Sequence, residues 1–537
     1  MKQKIWQPVV FSLLLIVGIL IGMWMKPISG EVGLFRAGNN KINQLLNIIN
    51  QAYVDTVDVD SLEEVAINNL LHELDPHSVY IPARDLTAAN EGLEGNFEGV
   101  GIEFSIVNDT ILVAKVIKEG PAEKAGLAQG DKIIQVDTMP VAGVGINNDK
   151  VFKLLRGAAG SKVRVKVYRP YRAQVLAFSI TRDKVPIYSV DVALMLNNQT
   201  GYIKIDRFAA NTHQEFKTAL EKLRASAFKQ LIVDLRNNPG GYLSAATAIA
   251  DELLDDKKLL VYTKGRTQKT EEYKAENKGD YETGKLIILI DEGSASASEI
   301  VSGAVQDWDR GVIIGRRSFG KGLVQEPFEL ADGSAVRLTI SRYYTPSGRS
   351  IQKDYTQGWD AYEQEINERF EKGELKGAIG QKVNDSTVYK TAKGRFVYGG
   401  GGIMPDVFVA VDTTYLNPFF HAIFEENLLN VLGFKYLETN RELLKNRYAN
   451  AGVFTATYSV NEQMWKELET TINKRRPETC LAKDIQQAKQ QVKLLYKAFI
   501  ARQLWGDEGY YTVMNSEDKV IKKALETLGS NYHSLLN

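Results

Sequence analysis

The sequence predicts an α/β core with a mixed sheet built from ββα-type repeats, into which a small β domain is inserted. Three observations support this prediction. Short β runs with glycine turns fill residues 97–183, β runs alternate with helical stretches over 184–345, and the chain after residue 412 has a helical pattern to its end. Alternation of strands with helices is typical of an α/β core with a partly parallel sheet. We therefore expect helical regions to flank the core on both sides.

The composition is that of a globular protein with several domains. The chain has 537 residues, of which 44% are apolar and 25% charged, and this length exceeds a single hydrophobic core. Lys plus Arg and Asp plus Glu both number 66, which argues against a general nucleic-acid binder. The single cysteine, Cys480, excludes an intramolecular disulfide framework and a cysteine-rich metal site. We predict neither a metal nor a cofactor.

The first residues predict a membrane anchor. Residues 5–25 carry no charge, with Lys2 and Lys4 before them and Lys26 after them, and at about 1.5 Å per residue they match a bilayer core. The alternative is a cleaved signal peptide, but the stretch is longer than an h-region and lacks a small-residue cleavage site. The first two lysines favour a cytoplasmic N-terminus. We expect a single-pass protein of the inner (cytoplasmic) membrane, with the bulk of the chain on the extracytoplasmic side, in the periplasm.

Changes in composition along the chain predict the domain boundaries. The charged stretch 356–394 interrupts the core pattern, and we expect it to form a solvated helix between core strands. The five predicted segments are the anchor in 1–26, an N-terminal helical region in 27–85, the β domain in 86–183, the α/β core in 184–411 and a C-terminal helical domain in 412–537.

The run "GLAQGDKIIQVD", residues 126–137, follows a short helical stretch and ends in a strand, and it resembles a PDZ domain. The resemblance implies that a peptide adds to a sheet edge and that backbone amides bind its terminal carboxylate. In the corresponding loop, glycines leave the amides unobstructed; the alternative is that they are ordinary turn glycines. The predicted peptide-binding residues are Gly99, Val100, Gly101 and Ile102.

Three serines alternate with alanines in "GSASASEI", residues 293–300, between an apolar strand and an amphipathic helix. One interpretation is structural, because Ser296 and Glu299 match a capping box, which satisfies free N–H groups at a helix start. The other is catalytic, because a serine at a strand-to-helix turn lies beside free amides that can stabilise an oxyanion. These residues alone leave both interpretations open.

The candidate base for such a serine is Lys321, in "GRRSFGKGLVQ", residues 315–325. None of the five histidines lies within 230–325, and desolvation can bring a lysine pKa from about 10.4 toward ~7–8, where the amine accepts a serine proton. Gln325 follows four residues later and can orient the amine. The run nearly matches a phosphate loop, but Gly322 stands where Ser or Thr would bind Mg²⁺, and a strand follows instead of a helix.

Together these motifs resemble the C-terminal processing peptidases, also called tail-specific proteases. The matching residues follow one another over 74–409 and are "LDPHSVYIP", the PDZ-like module, "DLRNNPGG", "GSASASEI", "FGKGLVQ", "YYTPSGRSIQ" and "GGGIMPD". The resemblance implies a Ser-Lys dyad serine endopeptidase with the lysine 25 residues after the nucleophile and a glutamine four residues further on. That spacing selects Ser296, Lys321 and Gln325 as the catalytic residues.

The resemblance also implies an oxyanion hole made by the backbone amides of Ala297, Gly240 and Gly241. From the residues alone, the two glycines can present unhindered N–H groups to a substrate, or they can serve a plain strand-to-helix turn. If Ser296 is the nucleophile, we expect its Oγ to face Lys321, at about 3 Å, and not the amide of Glu299. The capping box would then be a coincidence of composition.

The predicted function is a membrane-anchored serine endopeptidase that recognises the C-terminal tails of protein substrates. By the resemblance, the PDZ-like module gates the site, and Arg156 in "LLRGAAG" is the candidate that transmits peptide binding to the core; the alternative is a plain surface charge. The flanking helices, 39–74 and 412–537, are candidates for a homodimer interface. The alternative function is a non-catalytic PDZ scaffold, which would require a broken dyad.

Overall fold

The computed structural model describes residues 41–377 and 388–537. The predicted anchor, residues 5–25, lies outside this part, and no helix within the described residues is long and apolar enough to cross a membrane. The chain divides into two compact units, Met1–Ile67 and Asn68–Asn537.

The described part of the first unit is helical. Helix α1 is Lys41–Ala52, and α2, which continues into the second unit, is Val59–His72. Every residue of α1 is at least partly exposed, including the apolar side chains of Ile42, Leu45 and Ile48.

The inserted β domain follows a short strand and a helix, β1 (Val79–Ile81) and α3 (Ala83–Glu94). Its sheet has the order β3-β4-β5-β7-β8, with β6 on β5, while β2 pairs with β9. Side chains of β7 alternate between exposed and buried along the whole strand, as the two-residue period of a strand requires. The elements are β2 Asn96–Gly99, β3 Ile102–Ile106, β4 Ile111–Val116, α4 Pro121–Ala125, β5 Lys132–Val136, β6 Met139–Pro140, α5 Asn148–Leu155, β7 Lys162–Arg169, β8 Gln174–Thr181 and β9 Asp183–Pro186.

The core is a six-stranded mixed sheet of order β10-β11-β12-β15-β16-β21, which confirms the predicted mixed sheet. β10 runs antiparallel to β11 and the other neighbours are parallel. Three helices, α6, α7 and α8, cover one face of this sheet. The elements are β10 Val190–Met195, β11 Thr200–Ile205, α6 Thr212–Arg224, β12 Gln230–Asp234, α7 Leu243–Leu253, β13 Leu259–Gly265, β14 Glu271–Lys274, β15 Lys285–Ile290, α8 Ala297–Asp307 and β16 Val312–Gly315.

A second sheet, of order β1-β18-β13-β14 with β17 paired to β18, lies beside the core sheet and is antiparallel throughout. Two short strands, β19 and β20, form a separate hairpin. The remaining elements of this region are β17 Leu323–Glu329, β18 Ala335–Tyr344, α9 Trp359–Glu371, β19 Val388–Lys390, β20 Phe396–Tyr398 and β21 Val407–Phe408.

The helix expected to be solvated, α9, is packed on one side. Tyr362 and Arg369 are buried, with 2% and 3% of their surface exposed. Its charged outer face produced the expectation of a solvated helix, but the inner face covers the loop that follows β16.

The C-terminal region is helical, as predicted, and its last helix completes the core. Val520, Ile521 and Leu528 of this helix pack on Ile287 and Val312 of the core sheet, on the face opposite α6–α8. The helix α14 has a break at Gly506, which has φ 66. The helices are α10 Pro418–Glu425, α11 Leu428–Arg447, α12 Ala451–Thr457, α13 Glu462–Arg475, α14 Ala482–Glu517 and α15 Lys519–Gly529.

Candidate active site

Three loops that carry the predicted site residues leave the same edge of the core sheet. β12, β15 and β16 are adjacent and parallel, so the loops at their carboxyl ends lie side by side. The loop after β12 carries Gly240 and Gly241, the turn after β15 carries Ser296, and the loop after β16 carries Lys321. Sheet topology thus brings together residues that are up to 81 positions apart, from Gly240 to Lys321.

Ser296 lies at the N-cap of α8 with φ 53 and ψ −112, a conformation that costs a non-glycine residue on the order of 1–3 kcal/mol. Its amide donates to Glu299 Oε2 at 2.8 Å, and its carbonyl oxygen accepts from the Glu299 amide at 2.8 Å and the Tyr343 hydroxyl at 3.0 Å. These bonds hold the backbone of the turn from three sides. The side chain stays partly exposed.

The other two serines of the motif have structural roles. Ser294 Oγ donates to the Leu235 carbonyl oxygen at 2.8 Å, and Ser298 Oγ donates to the Asn238 carbonyl oxygen at 3.0 Å. Both side chains are fully buried. They tie the turn to the loop after β12, and Ser296 is left as the serine that can meet a substrate.

The capping box of Ser296 and Glu299 is present in the structure, so it is not a coincidence of composition. Because the Glu299 amide donates to the Ser296 carbonyl oxygen at 2.8 Å, the Ser296 hydroxyl is at most a secondary acceptor for it. The carboxylate half of the box is well formed. Capping and exposure of the hydroxyl are therefore compatible.

The Glu299 carboxylate also holds the lysine loop. Besides the Ser296 amide, its oxygens accept from Ser318 Oγ at 2.5 Å, from the Gly320 amide at 2.7 Å and from the Lys321 amide at 2.9 Å. The residue is fully buried, and burial raises the pKa of its carboxyl to about 7 against the lowering effect of these donors. One buried carboxylate thus joins the backbone of Ser296 to the backbone of Lys321.

Lys321 donates from Nζ to Gln325 Oε1 at 3.0 Å. Burial lowers the pKa of its amine, against the opposing charges of Asp75 and Glu299. Among the hydrogen bonds of the described residues, none joins Lys321 Nζ to Ser296 Oγ, so the expected contact of about 3 Å is not formed. The reason is that the amine donates to the amide oxygen of Gln325, and the amide nitrogen of the same side chain is held by another hydrogen bond.

Gln325 is fixed by the loop of the "LDPHSVYIP" motif. Its Nε2 donates to the carbonyl oxygen of His77. The His77 amide and the Ser78 hydroxyl donate to opposite oxygens of the buried Asp75, at 2.8 and 2.6 Å. Burial and the Lys321 ammonium lower the pKa of His77 to about 3, so its ring is neutral at neutral pH and a poor base. His77 therefore has a structural role, since its carbonyl oxygen fixes Gln325.

The predicted oxyanion donors differ in availability. The Gly240 amide donates to Asn238 Oδ1 at 2.9 Å, so it is already occupied, contrary to the prediction that included it. For the amides of Ala297 and Gly241, no acceptor is found in the described part of the chain. A Cβ on Gly240 would lie 2.8 Å from Ser296 Cβ and 2.9 Å from the Ala297 nitrogen. Gly240 therefore keeps space open beside Ser296, and its amide is not free to donate to a substrate.

The predicted peptide site lies at the edge of the β domain. β3 is the edge strand of its sheet, and Phe104 on β3 meets Phe152 on α5 with ring centroids 5.4 Å apart. In the loop before β3, the carbonyl oxygens of Val100 and Gly101 accept from the backbone at 2.7 and 3.0 Å, which holds the loop in place. Ile102 begins the edge strand itself. The groove between an edge strand and a helix is suited to strand addition by a peptide.

Arg156 is more than a plain surface charge. Its Nη1 donates to Glu91 Oε2 of α3 at 2.8 Å, and its guanidinium lies 5.3 Å from the ring centre of Phe97 and 5.1 Å from that of Phe152. It joins the groove helix α5 to α3. Asn90, next to Glu91, accepts from Arg337 of β18 at 2.7 Å.

Comparison with known proteins gives matches to three family models. Residues 199–358 match the model of peptidase family S41, residues 112–169 match a PDZ domain, and residues 419–506 match a family of unknown function. A probable CtpA-like serine protease of Staphylococcus epidermidis is 35% identical over 59% of this chain and 64% of its own length. The chain thus spans just under two thirds of the length of the curated relatives of this kind.

The carboxy-terminal-processing protease of Bartonella bacilliformis is 36% identical over 58% of this chain and 72% of its own length. The chain therefore belongs to the carboxy-terminal-processing proteases of peptidase family S41. Among solved structures, the photosystem II D1 C-terminal processing protease is 30% identical, with 58% of this chain and 89% of that chain covered and a TM-score of 0.34. The inserted β domain of this S41 chain is a PDZ domain.

Sequence reasoning did not assign roles to several residues of this S41 site. The hydroxyl of Tyr343, in "YYTPSGRSIQ", donates to the Ser296 carbonyl oxygen at 3.0 Å and to the Lys321 carbonyl oxygen at 2.5 Å. Asp75 and His77 lie in a motif that was noted without a role. Their positions in the quoted motifs were the only sequence signal that these residues belong to the site. Their contacts with β17, β18 and the lysine loop depend on tertiary packing.

Proposed function

We propose that this chain is a membrane-anchored serine endopeptidase that cleaves protein substrates selected by their C-terminal tails, with Ser296 and Lys321 as a catalytic dyad. The observation that carries the proposal is the shared Glu299 carboxylate, which accepts the amides of both Ser296 and Lys321. A site held together in this way presents a partly exposed serine hydroxyl near a buried amine.

In the proposed reaction, Ser296 Oγ attacks the peptide carbonyl and the neutral amine of Lys321 takes its proton. The ammonium then gives a proton to the leaving amine, and water hydrolyses the acyl-enzyme by the same route. Gln325 Oε1 orients the amine before the reaction begins. The amides of Ala297 and Gly241 stabilise the oxyanion. A movement of Nζ from Gln325 toward Ser296 is required before attack.

The PDZ domain selects the substrate in this proposal. The loop Gly99–Ile102 binds the free carboxylate of the tail, and the tail extends along β3 as an added strand. Arg156 transmits this occupancy, because it contacts Phe152 on the groove helix and Glu91 on α3. From α3 the contact continues through Asn90 to Arg337, whose charge acts on Lys321.

The proposed location is the inner (cytoplasmic) membrane, with a single span at residues 5–25 and the protease on the periplasmic side. The support is the uncharged stretch between Lys4 and Lys26. A homodimer through the flanking helices stays a prediction, to which the exposed apolar side chains of α1 lend support.

A pair of peptides tests the proposed activity. One ends in a free apolar C-terminus, and the other has the same sequence with an amidated C-terminus. We expect the protein to cleave the free form faster, because only that form has a carboxylate for the PDZ loop, and we expect Ser296→Ala to cleave neither. Unchanged cleavage by Ser296→Ala would overturn the assignment. Binding of the free peptide without cleavage would favour the alternative, a PDZ scaffold.

A further inference from the structure

Helix α9 lies outside the matched family region but against the lysine loop. The match to peptidase family S41 ends at residue 358, and α9 begins at Trp359. Its buried residues, Tyr362 and Arg369, both face the segment that leads to Lys321. Neither has a role in the chemistry proposed above.

Arg369 holds the backbone of the lysine loop. Its Nη2 donates to the Arg317 carbonyl oxygen at 2.7 Å and its Nη1 to the Ser318 carbonyl oxygen at 3.1 Å. Its Nε donates to Glu374 Oε1 at 3.0 Å. The planar guanidinium therefore binds two consecutive carbonyls, three and four residues before Lys321, while a carboxylate fixes its own orientation.

Tyr362 reaches the same loop from another side. Its ring packs on Phe319 with centroids 5.9 Å apart, and the Lys353 ammonium lies 3.9 Å from the centre of the Tyr362 ring and 4.1 Å from that of Phe319. The Lys353 amide donates to the Gly320 carbonyl oxygen at 2.9 Å. The Tyr362 ring and the Lys353 cation together cover Phe319, the residue directly before Gly320.

The Tyr362 hydroxyl also connects to the residue that orients the lysine. It lies 2.7 Å from His77 Nε2. The His77 carbonyl oxygen accepts from Gln325 Nε2, and Gln325 Oε1 accepts from Lys321 Nζ at 3.0 Å. Tyr362 thus acts on both ends of Lys321, on its backbone through Phe319 and on its amine through His77 and Gln325.

We propose that Arg369 and Tyr362 of α9 are positioning residues for Lys321. They set the path of the loop and the place of the amine, and they keep water away from it. The assignment rests on the proposed function of Lys321 as the base. It gives α9, an element beyond the S41 match, a specific part in the reaction.

If the contacts of Tyr362 and Arg369 are weakened, the pKa of the Lys321 amine is expected to change in a defined direction. The charged groups that act on the Lys321 amine are Asp75 and Glu299, which favour the ammonium, and Arg337, which disfavours it; His77 beside them is neutral. Burial is the largest influence and lowers the pKa of the amine. If water enters, the burial effect decreases and the pKa of the amine rises toward its ordinary value.

Competitive amine labelling measures this directly. Intact protein is labelled with acetic anhydride at a series of pH values, and peptide mapping gives the titration midpoint of Lys321. We expect a midpoint in the wild type below that of exposed lysines. In Tyr362→Phe, which removes only the hydroxyl, and in Arg369→Lys, which cannot bind both carbonyls, the midpoint rises by about one pH unit.

Kinetics supply the second measurement. In both variants we expect kcat to fall about tenfold with KM little changed, because misplacement of a catalytic group affects the reaction step and not substrate binding. Tyr355→Phe is the matched control for the tyrosine, since it removes an exposed hydroxyl bonded to Arg342. Lys372→Met, an exposed charge just after α9, is the control for the arginine. Both controls are expected to behave like the wild type.

A Lys321 midpoint that stays at the wild-type value in both Tyr362→Phe and Arg369→Lys would overturn the proposal. So would a midpoint shift of equal size in the two controls. If the wild-type protein cleaves no peptide, the proposed function fails, but the labelling result still decides whether α9 positions the lysine.

Discussion

Glu299 is the residue on which the geometry of this site most depends. Its two oxygens accept four hydrogen bonds, from Ser296, Ser318, Gly320 and Lys321. Ser296 has positive φ, and the four hydrogen bonds to Glu299, at about 0.5–1.5 kcal/mol each, are together sufficient to offset the strain. Glu299 therefore completes the capping box of α8 and also places the lysine loop beside Ser296.

Replacement of Glu299 by Gln tests this role. An amide has one acceptor oxygen, so two of the four donors would face an NH₂ group, and we expect proteolytic activity to fall by at least about tenfold. Glu123→Gln is the control, since Glu123 accepts one amide bond at an exposed position. Equal activity in Glu299→Gln and wild type would contradict the role.

The same variant has an expected signature in the pH dependence of stability. The pKa of Glu299 is raised from 4.5 to about 7 in the folded protein. The stability it contributes is therefore full below pH 4.5 and is lost as the pH rises through about 7. Denaturant titrations should show the free energy of unfolding of the wild type falling, relative to Glu299→Gln, by about 3 kcal/mol between pH 4.5 and 8. A difference independent of pH would show that Glu299 has an ordinary pKa.

At the scale of elements, the site is the carboxyl edge of three parallel strands, β12, β15 and β16. The loop after β12 approaches the turn after β15 so closely that only glycine fits at position 240, where φ is +97. Ser294 and Ser298 hold the same two loops together through hydrogen bonds to Leu235 and Asn238. The opening beside Ser296 is a consequence of this packing.

Gly240→Ala tests the close approach. The added Cβ would meet Ser296 Cβ and the Ala295 carbonyl oxygen at 2.8 Å, so we expect peptide cleavage to be lost. Gly394→Ala is the matched control, because Gly394 has φ +92 and no atom within 4 Å of the added Cβ. Both substitutions should cost about 1 kcal/mol of stability from the positive φ. Full activity of Gly240→Ala in a peptide assay would contradict the account of this loop.

The strands, the PDZ domain and the three site loops were predictable because each has a local pattern. "KLIILI" is a continuous apolar run, and β15 is a strand buried over nearly its whole length. The contacts of Glu299 with Ser318 and Gly320 were not predictable, since they join segments about 20 residues apart that meet only through sheet order. The occupied Gly240 amide was missed for a different, local reason: the sequence does not show which of several turn geometries the loop adopts, and in this one the Asn238 side chain accepts that amide.

The packing of α9 against the lysine loop could not be predicted from its sequence pattern. Its sequence is polar or charged at most positions, which indicates a solvated helix, and only Tyr362 and Arg369 are buried. Two buried residues in 13 are too few for a clear periodic signal. Arg369 is charged, and a charged residue is rarely buried unless it is paired. The carbonyl groups that bind it cannot be identified from the sequence.

At the scale of the whole second unit, the C-terminal helices join the PDZ domain to the core. On the PDZ side, Lys132 pairs with Glu438 of α11 at 2.6 Å, and Lys115 pairs with Asp507 of α14 at 2.6 Å. On the core side, α15 covers one face of the sheet. The region that matches a family of unknown function therefore contributes to the placement of the PDZ domain.

A charge swap tests this contact in solution. Lys132 and Glu438 form a half-exposed pair, so each single reversal, Lys132→Glu or Glu438→Lys, should weaken the contact by up to about 1 kcal/mol. The double reversal should restore it, because the opposite charges meet again. Hydrogen exchange of the β5 amides is the measurement. Additive effects of the two reversals would contradict a direct contact between these residues.

The pH dependence of kcat/KM tests the Ser296–Lys321 assignment most directly. Because only the neutral amine accepts a proton, we expect kcat/KM to rise with pH, with a midpoint below the ordinary lysine value of 10.5. In Lys321→Ala, the activity should fall by at least about a hundredfold and this rise should disappear. A rise that persists in Lys321→Ala and disappears in His77→Ala would assign the base to the histidine and contradict the dyad.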